Sequence, residues 1–197
     1  MNLHKTVLSV VVAVCVGGCA STDAQRIDPG VQGIVRVGDV DIRDINEART
    51  VALESLLSTG ALAKAPKSPP IIRIGTFTNN TSTKIPMAMV LDGIEEQLTN
   101  SGQAIVNTSA GANPEARIAQ EKLRRKQLET GESVEIADDF ELTGRIEQAK
   151  SSAGDVRQTT YQFSFALTAL SGDMAGQQVW KKAHPISKAG KKSAVSF

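Results

Sequence analysis

Apolar residues follow three different rhythms along this 197-residue chain. Residues 7–16 (VLSVVVAVCV) are apolar throughout except for Ser9. The spacing then becomes three to four. Ile45, Ala48, Ala52 and Leu56, with Leu53 and Leu57 beside them, predict a helix that starts at a capping box of Asp44 and Glu47, runs to about Ser58 and is ended by Gly60. Met87, Val90, Leu91, Ile94 and Leu98 predict a second helix from Pro86 to Ser101, stopped at Gly102, with Met87 and Met89 as gap-filling core side chains. Ile71 to Thr76 (IIRIGT) reads as a short central strand, Thr78 to Ser82 as a loop and Ala104-Ile105-Val106 as a second short strand. A mostly polar third helix is expected from Asn113-Pro114-Glu115 to about Thr130, on the surface, with Arg124-Arg125-Lys126 near its C-terminus where the dipole favours cations.

The last third alternates with period two. Phe140, Leu142 and Ile146 share one parity, and Tyr161, Phe163, Phe165, Leu167 and Ala169 repeat it, with turn residues at Ser151 to Gly154 between them. Ser171-Gly172-Asp173 turns the chain again, and Gln177 to about Lys188 supplies a third strand containing Trp180. A meander with one solvated face needs cover on the other, and the preceding helices are the available cover. The expected fold is α/β of the α+β kind: one domain with a mixed or antiparallel sheet and a C-terminal three-strand meander covered by helices.

The apolar run at 7–16 is about half of the roughly 20 residues that span a bilayer as a helix, which marks an export signal rather than a stable anchor. It closes on Val16-Gly17-Gly18-Cys19. Small side chains there leave the backbone open to a peptidase, and a cysteine thiolate is a good nucleophile towards an activated lipid. The arrangement resembles the bacterial lipoprotein lipobox and implies Cys19 as the lipid-bearing first residue after cleavage. Cys15 fits that role poorly because bulky Val14 precedes it. Two or three acyl chains would hold firmly where one holds marginally, at about 0.8 kcal/mol per buried methylene. Ala20 follows the cysteine in place of an aspartate, which points to the outer membrane. Residues 20–33 are small, polar and broken by Pro29-Gly30, as a flexible tether would be. From Ala20 to Asp41 the chain reaches at most about 75 Å extended and about 25 Å root-mean-square if flexible. The expected organisation is a signal peptide at 1–18, a lipidated N-terminus and tether at 19–41, a globular domain at 42–192 and a tail at 193–197.

Without residues 1–18 the chain carries 21 basic and 21 acidic side chains, since Lys5 is the one Lys or Arg removed from 22. No basic excess drives phosphate binding, so no nucleic-acid partner is expected. Both cysteines fall at or before the lipid site, so the folded part has neither a disulfide nor a thiolate metal ligand. His184 is then the sole histidine and is expected at a solvated strand end. No serine lies in a G-x-S-x-G elbow, and Glu95-Glu96 is expected on the outer side of its helix. Asp138-Asp139 lacks the alternating oxygen ligands of a Ca²⁺ loop, and no phosphate-binding glycine loop is present. No catalytic residue, metal ligand or cofactor site is assigned, and a non-enzymatic role is expected. An acidic run (Glu132, Glu135, Asp138, Asp139, Glu141) and a basic one (Lys181, Lys182, Lys188, Lys191, Lys192) read as solvated faces.

Ile74-Gly75 to Ser82 (IGTFTNNTS), followed by the helix ending Leu98-Thr99-Asn100-Ser101-Gly102, resembles the LpoB family of outer-membrane lipoprotein activators of penicillin-binding proteins. Leu142-Thr143-Gly144-Arg145-Ile146, Gln162-Phe163, Val179-Trp180 and Ile186-Ser187-Lys188 resemble that family's closing strands, so the likeness covers roughly residues 42–192 in order. The resemblance implies a protein that binds a bifunctional class A penicillin-binding protein and stimulates peptidoglycan synthesis. The alternative is an accessory or assembly outer-membrane lipoprotein, resembling the α/β domain of curli-secretion lipoproteins.

Overall fold

The computed structural model describes Asp28, residues 35–107, isolated positions between 118 and 129, and residues 138–191. The export signal, Cys19, most of the tether, most of the expected 113–130 helix, Glu132, Glu135, Lys192 and the 193–197 tail lie outside the described residues.

Helix α1 spans Ile42–Ser58 and begins one turn earlier than the pattern suggests. Its N-cap is Asp41, whose carboxylate accepts from the amides of Arg43 (2.9 Å) and Asp44 (3.2 Å), while Asp44 reaches back to accept from the amide of Asp41 at 2.9 Å. Asp41-x-x-Asp44 and Asp44-x-x-Glu47 have equal spacing. The upstream pair forms the box because Asp41 takes the extended backbone an N-cap needs, and Glu47 is drawn to another partner. Ile45, Ala48, Ala52, Leu53 and Leu56 form the buried stripe as expected. Gly60 follows the Thr59 cap at φ +69°, and a short 3₁₀ turn, Ala61–Lys64, tucks Ala61 and Leu62 under the core.

Strand β1 spans Ile71–Asn80, ten residues where six were expected. The segment read as a loop from Thr78 is half strand: Thr78, Asn79 and Asn80 pair with Arg145, Ile146 and Glu147. Its polar residues mislead because one flank is open there. The neighbour on that side, β2 (Ile105–Asn107), is only three residues long and covers just Ile71 to Arg73. Helix α2, Met87–Asn100, lies between β1 and β2 and buries Val90, Gly93, Ile94 and Leu98. Met87 packs against the core as anticipated, but Met89 is 54 % exposed, because it faces away from the Val90–Ile94–Leu98 stripe. Glu95 is half-buried, not fully outward, and its carboxyl is pushed up by burial first and by neighbouring Asp92 second.

Strands β3 (Phe140–Ala153), β4 (Val156–Ala169) and β5 (Gln178–Lys191) form the expected antiparallel meander, turning at Gly154 and through Gly172 and Gly176, all at positive φ. The sheet order is β2-β1-β3-β4-β5, with β1 parallel to both neighbours, so the sheet is mixed. Each parallel step crosses over through chain lying between the strands, α2 in the first case. The register stacks the apolar rows on one face: Ile72, Phe140 and Ala169; then Ile74, Leu142, Leu167 and Trp180; then Ile146 and Phe163. Helix α1 packs on that face against β5, and α2 packs against α1, β1 and β2. The fold is the expected α+β class.

Gly144 shows how closely this face is filled. A Cβ there would come within 2.4 Å of the Phe77 ring, which meets Phe165 edge-on at 6.2 Å between centroids.

Candidate functional site

Three polar contacts run along β5 at four-residue intervals and fasten it to α1. The Trp180 indole donates to Ser55 Oγ at 3.3 Å, His184 Nε2 lies 3.0 Å from Glu47 Oε1, and Lys188 Nζ reaches the helix N-terminus. His184 therefore sits mid-strand and half-buried, not at a solvated end, because its parity on β5 matches that of Trp180.

Lys188 belongs to no solvated face either. Its ammonium donates to the Asp39 carbonyl at 3.0 Å and to Asp41 Oδ2 at 2.9 Å, and it ion-pairs with Asp44 Oδ2. The side chains are nearly enclosed, at 9 % exposure for Lys188, 13 % for Asp41 and 8 % for Asp44. Burial alone would push the Asp41 carboxyl up, yet the bonds from Lys188 and from the backbone amides of Asp44 and Arg43 hold it below its ordinary range. Burial would likewise lower Lys188, and the two carboxylates override it and raise the ammonium. Lys188 shares the parity of Trp180 and Ile186, which Lys181 and Lys191 do not. The strand register turns that parity inward.

The TNNTS stretch from the family-like segment is tied to the sheet end by side chains. Asn79 Nδ2 donates to the Thr83 carbonyl (2.8 Å), and its Oδ1 accepts from Thr81 N (3.1 Å), the local backbone bonding expected of this composition. Gln148 of β3 accepts from the amide and hydroxyl of Ser82 and donates to the Tyr161 hydroxyl at 3.1 Å. Tyr161 is fully buried, and burial pushes its phenol up. Asp139, expected within a solvated acidic run, is instead buried. It accepts from Ile71 N and from Ser171 Oγ, both at 2.9 Å, and so joins the start of β1 to the turn before β5.

The opposite face of the sheet carries a different chemistry. Between Ile74 and Phe77 the β1 register shifts, so Gly75 and Thr76 together oppose Thr143, and a second shift lies at Leu167/Thr168 of β4. Bulges of this kind bend a strand and increase its twist. Around them lies a shallow concavity of about 240 Å³. Ser164 and Ala166 lie at its floor, Thr76, Thr78 and Thr143 along one side, and Arg145, Lys181 and Gln178 at the rim. Among the described residues no group of three or more His, Cys, Asp or Glu could hold a metal ion, and no helix is long and apolar enough to cross a membrane. Cys19, the one residue the sequence singles out for modification, lies outside the described residues.

A mixed sheet with helices fastened to one face and a polar concavity on the other defines an α+β domain. The chain belongs to the LpoB family, described as the peptidoglycan-synthase activator LpoB, whose family model matches residues 44–186. No curated protein matches the chain. Among solved structures it is similar to the LpoB C-terminal domain from Salmonella enterica, at 11 % identity and a TM-score of 0.43, covering 73 % of this chain and 98 % of that one. The LpoB C-terminal domain from Escherichia coli gives 12 % identity and a TM-score of 0.42, covering 74 % and 99 %. Lipoprotein GNA1162 from Neisseria meningitidis gives 16 % and 0.36, covering 64 % and 88 %.

Proposed function

We propose that this protein is an outer-membrane lipoprotein, cleaved before Cys19 and acylated there, that binds a bifunctional class A penicillin-binding protein and stimulates its glycan polymerisation and cross-linking. The observation that carries the reading is the family match over residues 44–186, which runs from the first turn of α1 into β5 and so takes in every described element of the sheet. The residues from Cys19 to about Gly38 act as the tether that positions the domain on the periplasmic side of the membrane; Asp39 and Asp41, expected within it, are fastened to β5 by Lys188. The protein's contribution is not chemical. A fixed surface that binds one state of its partner better than another shifts the partner's population towards that state.

The test adds the purified lipidated protein, in detergent, to a class A penicillin-binding protein and its lipid-linked precursor, and follows glycan-strand formation. A several-fold rate increase, with co-purification of the two proteins, is the expected result. No increase and no capture would reject the proposal. Mass spectrometry of the mature N-terminus tests the anchor separately, since Cys19→Ser should abolish acylation and membrane retention.

A further inference from the structure

We infer that the concavity on the side of β1, β3, β4 and β5 that neither α1 nor α2 covers is a binding site for a single sugar-acid unit, a polyhydroxylated ring bearing one carboxylate. Its lining divides into two halves. Thr76, Thr78 and Thr143 offer hydroxyls that both donate and accept, as sugar hydroxyls require. Lys181 and Arg145 supply cations beside them. Arg145 is partly engaged by Glu147 at 3.3 Å, whereas Lys181 makes no ion pair among the described residues, so Lys181 is the cation free to meet a carboxylate.

The floor supports a built pocket rather than an ordinary solvated sheet surface. Ser164 is 5 % exposed although it points away from α1 and α2, and its one side-chain hydrogen bond is a marginal 3.5 Å contact from Gln162. A buried hydroxyl with so weak a partner has hydrogen-bonding capacity left for a ligand. Ala166, between Thr143 and Lys181 in the register, keeps the centre open because its side chain is a single methyl. At about 240 Å³ the space is below the roughly 300 Å³ at which drug-sized pockets begin, which suits one ring and not a chain of them. Phe165 also borders the space, but its ring is buried edge-on against Phe77 on the helix side, so polar contacts carry the recognition and the affinity belongs in the millimolar range.

The inference is independent of whether the protein stimulates a synthase, because its readout is ligand binding. Saturation-transfer NMR on the protein purified from membranes in detergent, with D-glucuronate, N-acetylmuramate and D-glucose as probes and sulfate as competitor, tests it. Saturable transfer to the two sugar acids but not to glucose is expected. Their relative strengths tell whether a cell-wall sugar or a general uronic acid is preferred. Lys181→Met should weaken binding about tenfold, the loss of one charge-assisted hydrogen bond. Thr143→Val should also weaken it, and Thr143→Ser should retain it. Both positions lie outside the core, and circular dichroism melts verify that the variants fold. Transfer to glucose equal to that of glucuronate, displacement by sulfate as effective as by unlabelled sugar acid, unchanged binding in Lys181→Met, or no transfer at millimolar concentration would each overturn the assignment.

Discussion

Replacing Lys188 by methionine keeps the length and apolar stem of the side chain and deletes only the charge that Asp39, Asp41 and Asp44 share. Two carboxylates would then face each other at the start of α1 with only the Arg43 guanidinium, 3.6 Å from Asp41 Oδ2, left to offset them. Removing one partner from a buried ion pair costs roughly 3–5 kcal/mol, because the remaining charge stays desolvated. The lower end applies, since Asp41 keeps its bonds from the amides of Arg43 and Asp44. About 3 kcal/mol is therefore expected, or a fall of roughly 6–12 °C in Tm for a domain of this size. Urea denaturation followed by far-ultraviolet circular dichroism measures it.

The pH dependence has a defined sign. Asp41 is held below its ordinary 3.8, so its contribution is complete above that value and disappears as pH falls through the folded-state pKa. Lys188 is raised above its ordinary 10.5, so its contribution is complete below that value and disappears as pH rises through the folded-state pKa. The difference between wild type and Lys188→Met should thus be flat between about pH 5 and 9 and shrink outside that window. A loss under about 1 kcal/mol, or one independent of pH at both extremes, would refute the reasoning.

Other outcomes follow from single contacts. Gly144→Ala should cost about 1–3 kcal/mol in urea unfolding, since the new methyl strikes a Phe77 ring held against Phe165. Tyr161 is the sole tyrosine, so absorbance titration reads it alone; the phenolate should appear only above pH 10.0, together with loss of structure, because burial opposes the charged form. Gln148→Ala should release Ser82 and leave the Tyr161 hydroxyl without its amide donor, seen as faster amide hydrogen exchange across residues 81–83 with a stability loss of about 1 kcal/mol. Pro185 interrupts the outer rim of β5, an edge strand among the described residues, with a residue that cannot donate a ladder bond. Pro185→Thr should therefore increase self-association, measurable by sedimentation velocity as a shift to larger species than the wild type forms at the same concentration.

The chain by itself determined most of what depends on period and turn chemistry. Apolar spacing placed α1, α2 and the three meander strands, and Gly60, Gly102, Gly154 and Gly172 ended elements where positive φ is needed. The ordered segments from Ile74 to Lys188 were enough to indicate the family. What the chain could not express was partnership across it. The capping box moved from Asp44 to Asp41, His184 met Glu47, Asp139 went inside and Lys188 became buried, because each depends on which residue a distant strand brings opposite. In a period-two strand every second lysine looks alike, and a one-residue register choice decides which faces the helix. The concavity has the same origin: its hydroxyls and cations lie on four strands, and only their pairing, bent by two bulges, gathers them at one place.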